Sequence, residues 1–133
     1  MKKLLLFFLA VMLLPACGQN TEKDQEAVYM NITPQQAKEI MERETGYIIL
    51  DTRTQEEYAQ GHIPGAILIP HDRVREQAES VLTDKDQLIL VYCRSGRRSK
   101  LAAEDLVALG YTNIKEFGGI LDWPYEVTKG GSR

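Results

Sequence analysis

The residues best able to do chemistry lie in VYCRSGRRSK, residues 91–100. One thiol, Cys93, is followed closely by Arg94, Ser95, Gly96, Arg97, Arg98 and Ser99. A cysteine attacks as the thiolate, which forms where positive potential and hydrogen-bond donors offset its charge. The apolar run Leu88–Tyr92 precedes Cys93 and a helical pattern follows it, so the segment from Cys93 to Arg98 joins a buried strand to a helix N-terminus. Backbone N–H groups there are left unpaired by the helix, can curl around an anion, and are reinforced by the helix dipole. Cys93 is therefore expected to ionise below the free value of roughly 8.5. Gly96 gives the loop its conformational freedom. Arg94, Arg97 and Arg98 can add charge-assisted hydrogen bonds to an anionic substrate, though not all three need face inward. Ser95 and Ser99 offer hydroxyls, and Ser99 is a natural N-cap. The plainer reading, Cys93 as a small core hydrophobe, sits badly with these polar, glycine-containing surroundings.

The rest of the chain alternates helical and strand signals. Thr33-Pro34-Gln35-Gln36 is a capping sequence, predicting a helix to about Glu44 with Ala37, Ile40 and Met41 inward and Gly46 as its stop. Tyr47–Leu50 reads as a strand buried on both faces. A short helix from about Thr54 to Ala59 ends at Gly61, and Ala66–Ile69 is a second strand. Residues 72–82 carry Val74, Ala78, Val81 and Leu82 at helical spacing. Leu88–Tyr92 is the third strand, expected at the centre, and a helix over Ser99–Leu109 follows with Leu101, Ala102, Leu106 and Leu109 inward. A last strand is expected over Asn113–Glu116. This order means an α/β fold with a mostly parallel central sheet flanked by helices, where ligands bind beyond the carboxyl ends of the strands. Cys93 lies at such an end.

At 133 residues, 44% of them hydrophobic, the chain has material for one compact core. Its first residues, MKKLLLFFLAVMLLPACGQN, serve another purpose: Lys2 and Lys3 precede an apolar run, Leu4–Leu14, of 11 residues. A spanning helix needs about 20, so the run reads as an export signal. Leu14-Pro15-Ala16-Cys17 resembles the lipobox of bacterial lipoproteins, which implies cleavage before Cys17 and lipidation of its sulfur; the alternative is a plain secretory signal. The expected organisation is a lipoprotein signal peptide at 1–16, a lipidated cysteine and flexible tether at 17–31, one domain at 32–129, and a C-terminal tail at 130–133. Such a protein is exported and lipid-anchored to a bacterial membrane on its extracytoplasmic face. The chain has two cysteines, so a lipidated Cys17 leaves Cys93 without an intramolecular disulfide partner. Loss of Lys2 and Lys3 takes the formal charge from −3 to −5, which argues against nucleic acid as a partner.

The loop CRSGRRS resembles the active-site loop of single-domain rhodaneses, sulfurtransferases with a catalytic cysteine at the start of a six-residue loop between strand and helix. ILDTRTQEEYAQGHIPGAILIP, residues 49–70, is similar to the family's upstream signature in Asp51, Arg53, Glu57, Tyr58, Gly61, His62, Ile63, Gly65 and Ala66. Phe117-Gly118-Gly119 followed by Trp123 is a weaker match, and together these span roughly residues 32–129. The resemblance implies a double displacement: thiolate Cys93 takes sulfur from an anionic donor such as thiosulfate, and a thiol or cyanide removes it from the resulting persulfide. It implies neither cofactor nor metal. The partners it suggests are small donors and acceptors, with a persulfide partner protein as a further possibility. Phosphatases with cysteine nucleophiles place an arginine six positions after the cysteine; here that position is Ser99 and the arginine, Arg98, comes one earlier, giving a smaller ring. Since some rhodanese-like domains are binding or carrier modules, fold alone does not prove turnover.

Other tempting residues have structural explanations. Asp51 and Arg53 follow a buried strand and are expected in an ion pair with Glu57 or a neighbour. His62 is expected to fix a turn, and Trp123 to be a core aromatic. His62, His71 and Cys93 have no recognised metal-ligand spacing.

Overall fold

The structure, a computed structural model, describes residues 28–131. The expected signal peptide and Cys17 lie outside the described residues. A five-stranded sheet runs β1-β5-β4-β2-β3 across the molecule, every pairing parallel. The strands are β1 (Met30–Asn31), β2 (Ile48–Asp51), β3 (Ile67–Leu68), β4 (Ile89–Cys93) and β5 (Ile114–Gly119), interleaved with helices α1 (Pro34–Arg43), α2 (Gln55–Gln60), α3 (Val74–Val81) and α4 (Arg97–Ala108). β4 is central and all five of its residues are buried, as its unbroken apolar run requires. Its side chains alternate: Ile89 and Val91 pack with Val74 and Ala78 of α3 and Ala102 and Leu106 of α4, whereas Leu90 and Tyr92 pack on the opposite face with Ala37, Tyr58, Phe117 and Trp123.

Local chemistry sets the helix starts. Thr33 with Gln36, and Thr54 with Glu57, form reciprocal capping boxes at α1 and α2. The expected helix over 72–82 divides into a 3-10 turn, His71–Arg73, and α3.

Several expectations need correction. The tether does not extend to residue 31, because Met30–Asn31 pairs with Lys115–Glu116 as the edge strand β1. The tail does not begin at 130, since the Gly130 N–H donates to the Ala59 carbonyl at 3.0 Å. α1 ends at Arg43 with Glu44 already extended, and Gly46, at φ 75°, turns the chain into β2 rather than stopping the helix. α4 begins two residues before Ser99. On that phase Ser99, Ala102, Ala103 and Leu106 form the buried stripe, and Leu101 falls outside it at 41% exposure. Val81, at the last turn of α3, is likewise exposed, while Leu82 beyond it is buried. β5 runs to Gly119, three residues past the expected end, because its pairing with β4 continues to Cys93↔Gly119.

These phases make a stability prediction. Leu106→Ala, in the buried stripe, is expected to cost about 2–5 kcal/mol, and Leu101→Ala less than about 0.5 kcal/mol, in urea unfolding.

Candidate active site

β4 delivers Cys93 to its carboxyl end, and Arg94–Gly96 is all that separates it from α4. So short a link forces the chain to reverse within the loop. Gly96 permits this by adopting φ 107°, the left-handed region, as the N-cap of α4. Its N–H then points back at the sulfur, 2.9 Å from Cys93 Sγ. The Ser99 hydroxyl lies 3.3 Å from the same sulfur. Ser99 is therefore no N-cap: it occupies the first turn of α4, fully buried, with its side chain turned under the loop. No side chain caps α4, so its first N–H groups remain free to face the sulfur. Cys93 is 1% exposed. Burial pushes its pKa up, but the hydroxyl of Ser99 and the backbone N–H groups of Ser99, Gly96 and Ser95 outweigh it, and the net shift is downward.

β5 supports the loop from beneath. A Cβ on Gly119 would run into the Arg94 carbonyl and the Ser95 nitrogen, so only glycine lets β5 pass this close. The Leu121 N–H donates to the Arg94 carbonyl at 3.2 Å, tying the loop to the turn after β5.

The three arginines have different surroundings. Arg98 makes two parallel bonds to Glu57, Nη1–Oε1 at 2.7 Å and Nη2–Oε2 at 2.9 Å, joining α4 to α2. Those bonds hold the Glu57 carboxyl down at about 2, against a smaller upward push from partial burial. Arg94, Ser95 and Arg97 are exposed. Arg94 lines a cleft of about 220 Å³ with Arg53, Glu57, Gln60, Gly61, Ile120 and Leu121.

Asp51 and Arg53 do form the expected ion pair, with each other rather than with Glu57. Arg53 Nη2 lies 2.6 Å from Asp51 Oδ2 and donates also to the Gly61 carbonyl at 2.7 Å. The Tyr92 hydroxyl donates to Asp51 Oδ2 at 2.7 Å and accepts from the Ile63 N–H at 3.1 Å. His62 stacks on Tyr58 at 3.7 Å, places Nδ1 2.8 Å from the Tyr58 carbonyl, and exchanges backbone hydrogen bonds with Thr128. It fixes a turn and belongs to the frame. Trp123 is buried against Phe117, with its N–H on the Glu126 carbonyl.

A model of the rhodanese-like domain matches residues 33–125. The chain belongs to the rhodanese-like domain family. It is 40% identical over 81 residues to thiosulfate sulfurtransferase PspE of Escherichia coli K12, covering 61% of this chain and 78% of that one. It is 36% identical over 113 residues to thiosulfate sulfurtransferase 18 of Arabidopsis thaliana, covering 75% and 79%. Among solved structures, a rhodanese with anions from E. coli superposes with a TM-score of 0.60 at 38% identity, covering 63% of this chain and 99% of that one. The stretches that first suggested the family, the Cys93 loop and residues 49–70, lie inside the matched region of this rhodanese-like domain.

Two neighbours of the loop escaped the sequence reading. Glu116 was taken only as a strand residue, yet it is 2% exposed and reaches Ser99. An acid on the same strand face as Ile114, two residues away, was the available signal. Gly119 enters the sequence analysis within the Phe117-Gly118-Gly119 match without a role of its own, and its contact with Arg94 depends on the register of β5 against β4.

The Arg98–Glu57 pair predicts an acid limb. Because the folded Glu57 value lies below its ordinary 4.5, the pair stabilises the fold above that pH, and the contribution is lost as pH falls toward about 2. Glu57→Gln keeps a capping glutamine at the third position of α2. It is expected to remove on the order of 1–2 kcal/mol at about pH 7, after discounting for partial exposure, and to remove little at about pH 2, as urea melts at the two pH values will show.

Proposed function

We propose that this protein is a sulfurtransferase that moves a sulfane sulfur from an anionic donor such as thiosulfate to a thiol or cyanide acceptor, through a persulfide on Cys93. The observation that carries this reading is a buried sulfur with the Gly96 N–H at 2.9 Å and the Ser99 hydroxyl at 3.3 Å, at the start of a helix. Family membership and the names of the relatives support it.

Thiolate Cys93 attacks the outer sulfur of thiosulfate; a new S–S bond forms, the old one breaks, and sulfite leaves with the electron pair. The terminal sulfur of the persulfide then rests among the N–H groups of Ser95, Gly96 and Ser99. An acceptor thiolate or cyanide attacks that terminal sulfur and Cys93 departs as thiolate, restoring the site. Dividing the transfer in this way replaces one hard step by two easier ones. Charge on the departing sulfite is met by Arg94, which lines the cleft, with the exposed Arg97 adding positive potential from the first turn of α4, while Arg98 is engaged by Glu57 and contributes as part of the wall. The smaller ring left by the early arginine suits a sulfur atom better than a phosphate.

The full-length chain carrying Cys17→Ser, which leaves Cys93 as its only thiol, supplies the test. Incubated with excess thiosulfate, it is expected to gain the mass of one sulfur, about 32 Da, to lose it on adding cyanide, and to gain nothing once Cys93→Ser is added. A thiol that alkylates readily yet takes up no sulfur rules out thiosulfate as the donor.

The leader at 1–16 and Cys17 support an exported protein held by lipid on the extracytoplasmic face of a bacterial membrane. Residues between Cys17 and β1 then form the link to the domain. In fractionated cells, Cys17→Ala is expected to move the protein from the membrane to the soluble fraction; unchanged membrane association overturns the anchor.

A further inference from the structure

Glu116 is 2% exposed on β5 and takes no part in the sulfur chemistry above. No lysine, arginine or histidine pairs with it among the described residues. Its Oε1 accepts from the Gly118 N–H at 2.8 Å and lies 2.7 Å from Ser99 Oγ. That oxygen of Ser99 is also 3.3 Å from Cys93 Sγ, 3.0 Å from the Gly96 carbonyl and 3.3 Å from the Gly118 carbonyl. A hydroxyl has one proton to donate. Four acceptors therefore surround one hydrogen, and the carboxylate is the nearest, at a length typical of a charge-assisted O–H bond.

We propose that Glu116 sets the reactivity of Cys93 by competing with its sulfur for the Ser99 proton. While the proton is held by Glu116, Ser99 turns a lone pair toward Cys93, which suits a thiol donating its S–H; Ser99 supports the thiolate only to the extent that the sulfur draws the proton away from Glu116. The backbone N–H groups are then the thiolate's main support. The held proton keeps the thiolate more basic than the cradle alone would leave it, and a more basic thiolate is the stronger nucleophile once formed. When Cys93 becomes a persulfide its inner sulfur is no longer anionic, and the Ser99 proton returns to Glu116 without opposition. Glu116 is thus a positioning residue acting through Ser99.

Other charges near the pair are accounted for. Arg98 of α4 bears on Cys93 but is bound to Glu57 of α2; Asp51 of β2 is bound to Arg53 and Tyr92; Tyr29, ahead of β1, has its pKa raised by burial and by the charges of Glu104 and Glu116. None contacts the Ser99 hydroxyl.

The proposal rests on Cys93 as the reacting sulfur, and alkylation tests it without requiring any sulfur transfer, so the two readings can fail separately. The full-length Cys17→Ser chain and its Glu116→Met derivative are alkylated with iodoacetamide across the acid-to-neutral range, with thermal melts beside them. Glu116→Met frees the Ser99 proton for sulfur and removes a neighbouring negative charge, so the midpoint of the rate profile is expected to fall by about one pH unit; on the acid side the roughly tenfold gain in thiolate is partly offset by its lower nucleophilicity, leaving a roughly threefold faster reaction. Ser99→Ala is expected to raise the midpoint by about as much in the Glu116→Met chain and by clearly less in the parent. A folded Glu116→Met chain with an unmoved or raised midpoint overturns the proposal, as do equal Ser99→Ala shifts in both backgrounds. A purely structural Glu116 would alter the melt and leave the midpoint in place. Should Glu116→Met fail to fold, Glu116→Gln keeps an oxygen for Gly118 and drops the charge; a smaller fall supports the competition and no fall overturns it.

Discussion

A sulfur atom that is to become an anion has been placed where water hardly reaches, and the site is built around that cost. Burial alone would hold Cys93 as a thiol. The compensation comes from the Ser99 hydroxyl and from N–H groups of the loop and the start of α4, which converge on one point because the loop contains only Arg94, Ser95 and Gly96 and because Gly96 adopts a backbone angle rarely open to other residues. Closing the loop so tightly brings the Arg94 carbonyl onto β5, and the register of β5 against β4 puts Gly119 there, where no side chain fits. A glycine in the next strand is thus part of the same solution as the cysteine.

Keeping the cradle rigid falls to two charge pairs on the β2–α2 side. Asp51, Arg53 and Tyr92 form a buried network in which every charged group is hydrogen-bonded, the condition under which buried ions are tolerated. It connects the end of β2 to β4 one residue before Cys93 and, through the Gly61 carbonyl, to the end of α2. Glu57 performs two tasks on one side chain: it closes the capping box with Thr54 and grips Arg98 in the first turn of α4. The helix carrying the N–H donors is thereby held to the short helix opposite.

Much of this was legible in the sequence, with the limits falling at identifiable places. The β4 run, the Thr33 capping sequence and the loop sequence are local signals, and each placed its element to within a few residues. Leu101 and Val81 were misplaced because each stands next to a second apolar residue about 100° away around the helix, Ala102 and Leu82, and sequence spacing alone does not say which of the two the sheet covers. β1 was read as tether because two exposed residues contribute no hydrophobic pattern; they become a strand only by pairing with β5. Asp51 and Arg53 were expected in an ion pair with Glu57 or a neighbour, and the neighbour is what holds: they pair with each other, while Glu57 is taken by Arg98, 41 residues away in the chain. Glu116 was missed because Ser99 and Glu116 are 17 residues apart and meet under the loop.

The distribution of the arginines explains why three are present where one might have seemed enough. Arg98, the one nearest the position at which phosphatases hold phosphate, is occupied by Glu57 and so strengthens the wall of the site. Arg94 and Arg97 stay exposed, and Arg94 shares its cleft with Arg53, whose charge is already neutralised by Asp51. In the proposed reaction, attraction for an anionic donor falls to the exposed Arg94 and Arg97, while stabilisation of charge on sulfur falls to the N–H groups and the Ser99 hydroxyl within. This division suits a double displacement: the donor's remnant must leave after giving up its sulfur, and weakly held rim contacts let it go, while the sulfur it leaves behind must stay, and the inner cradle retains it.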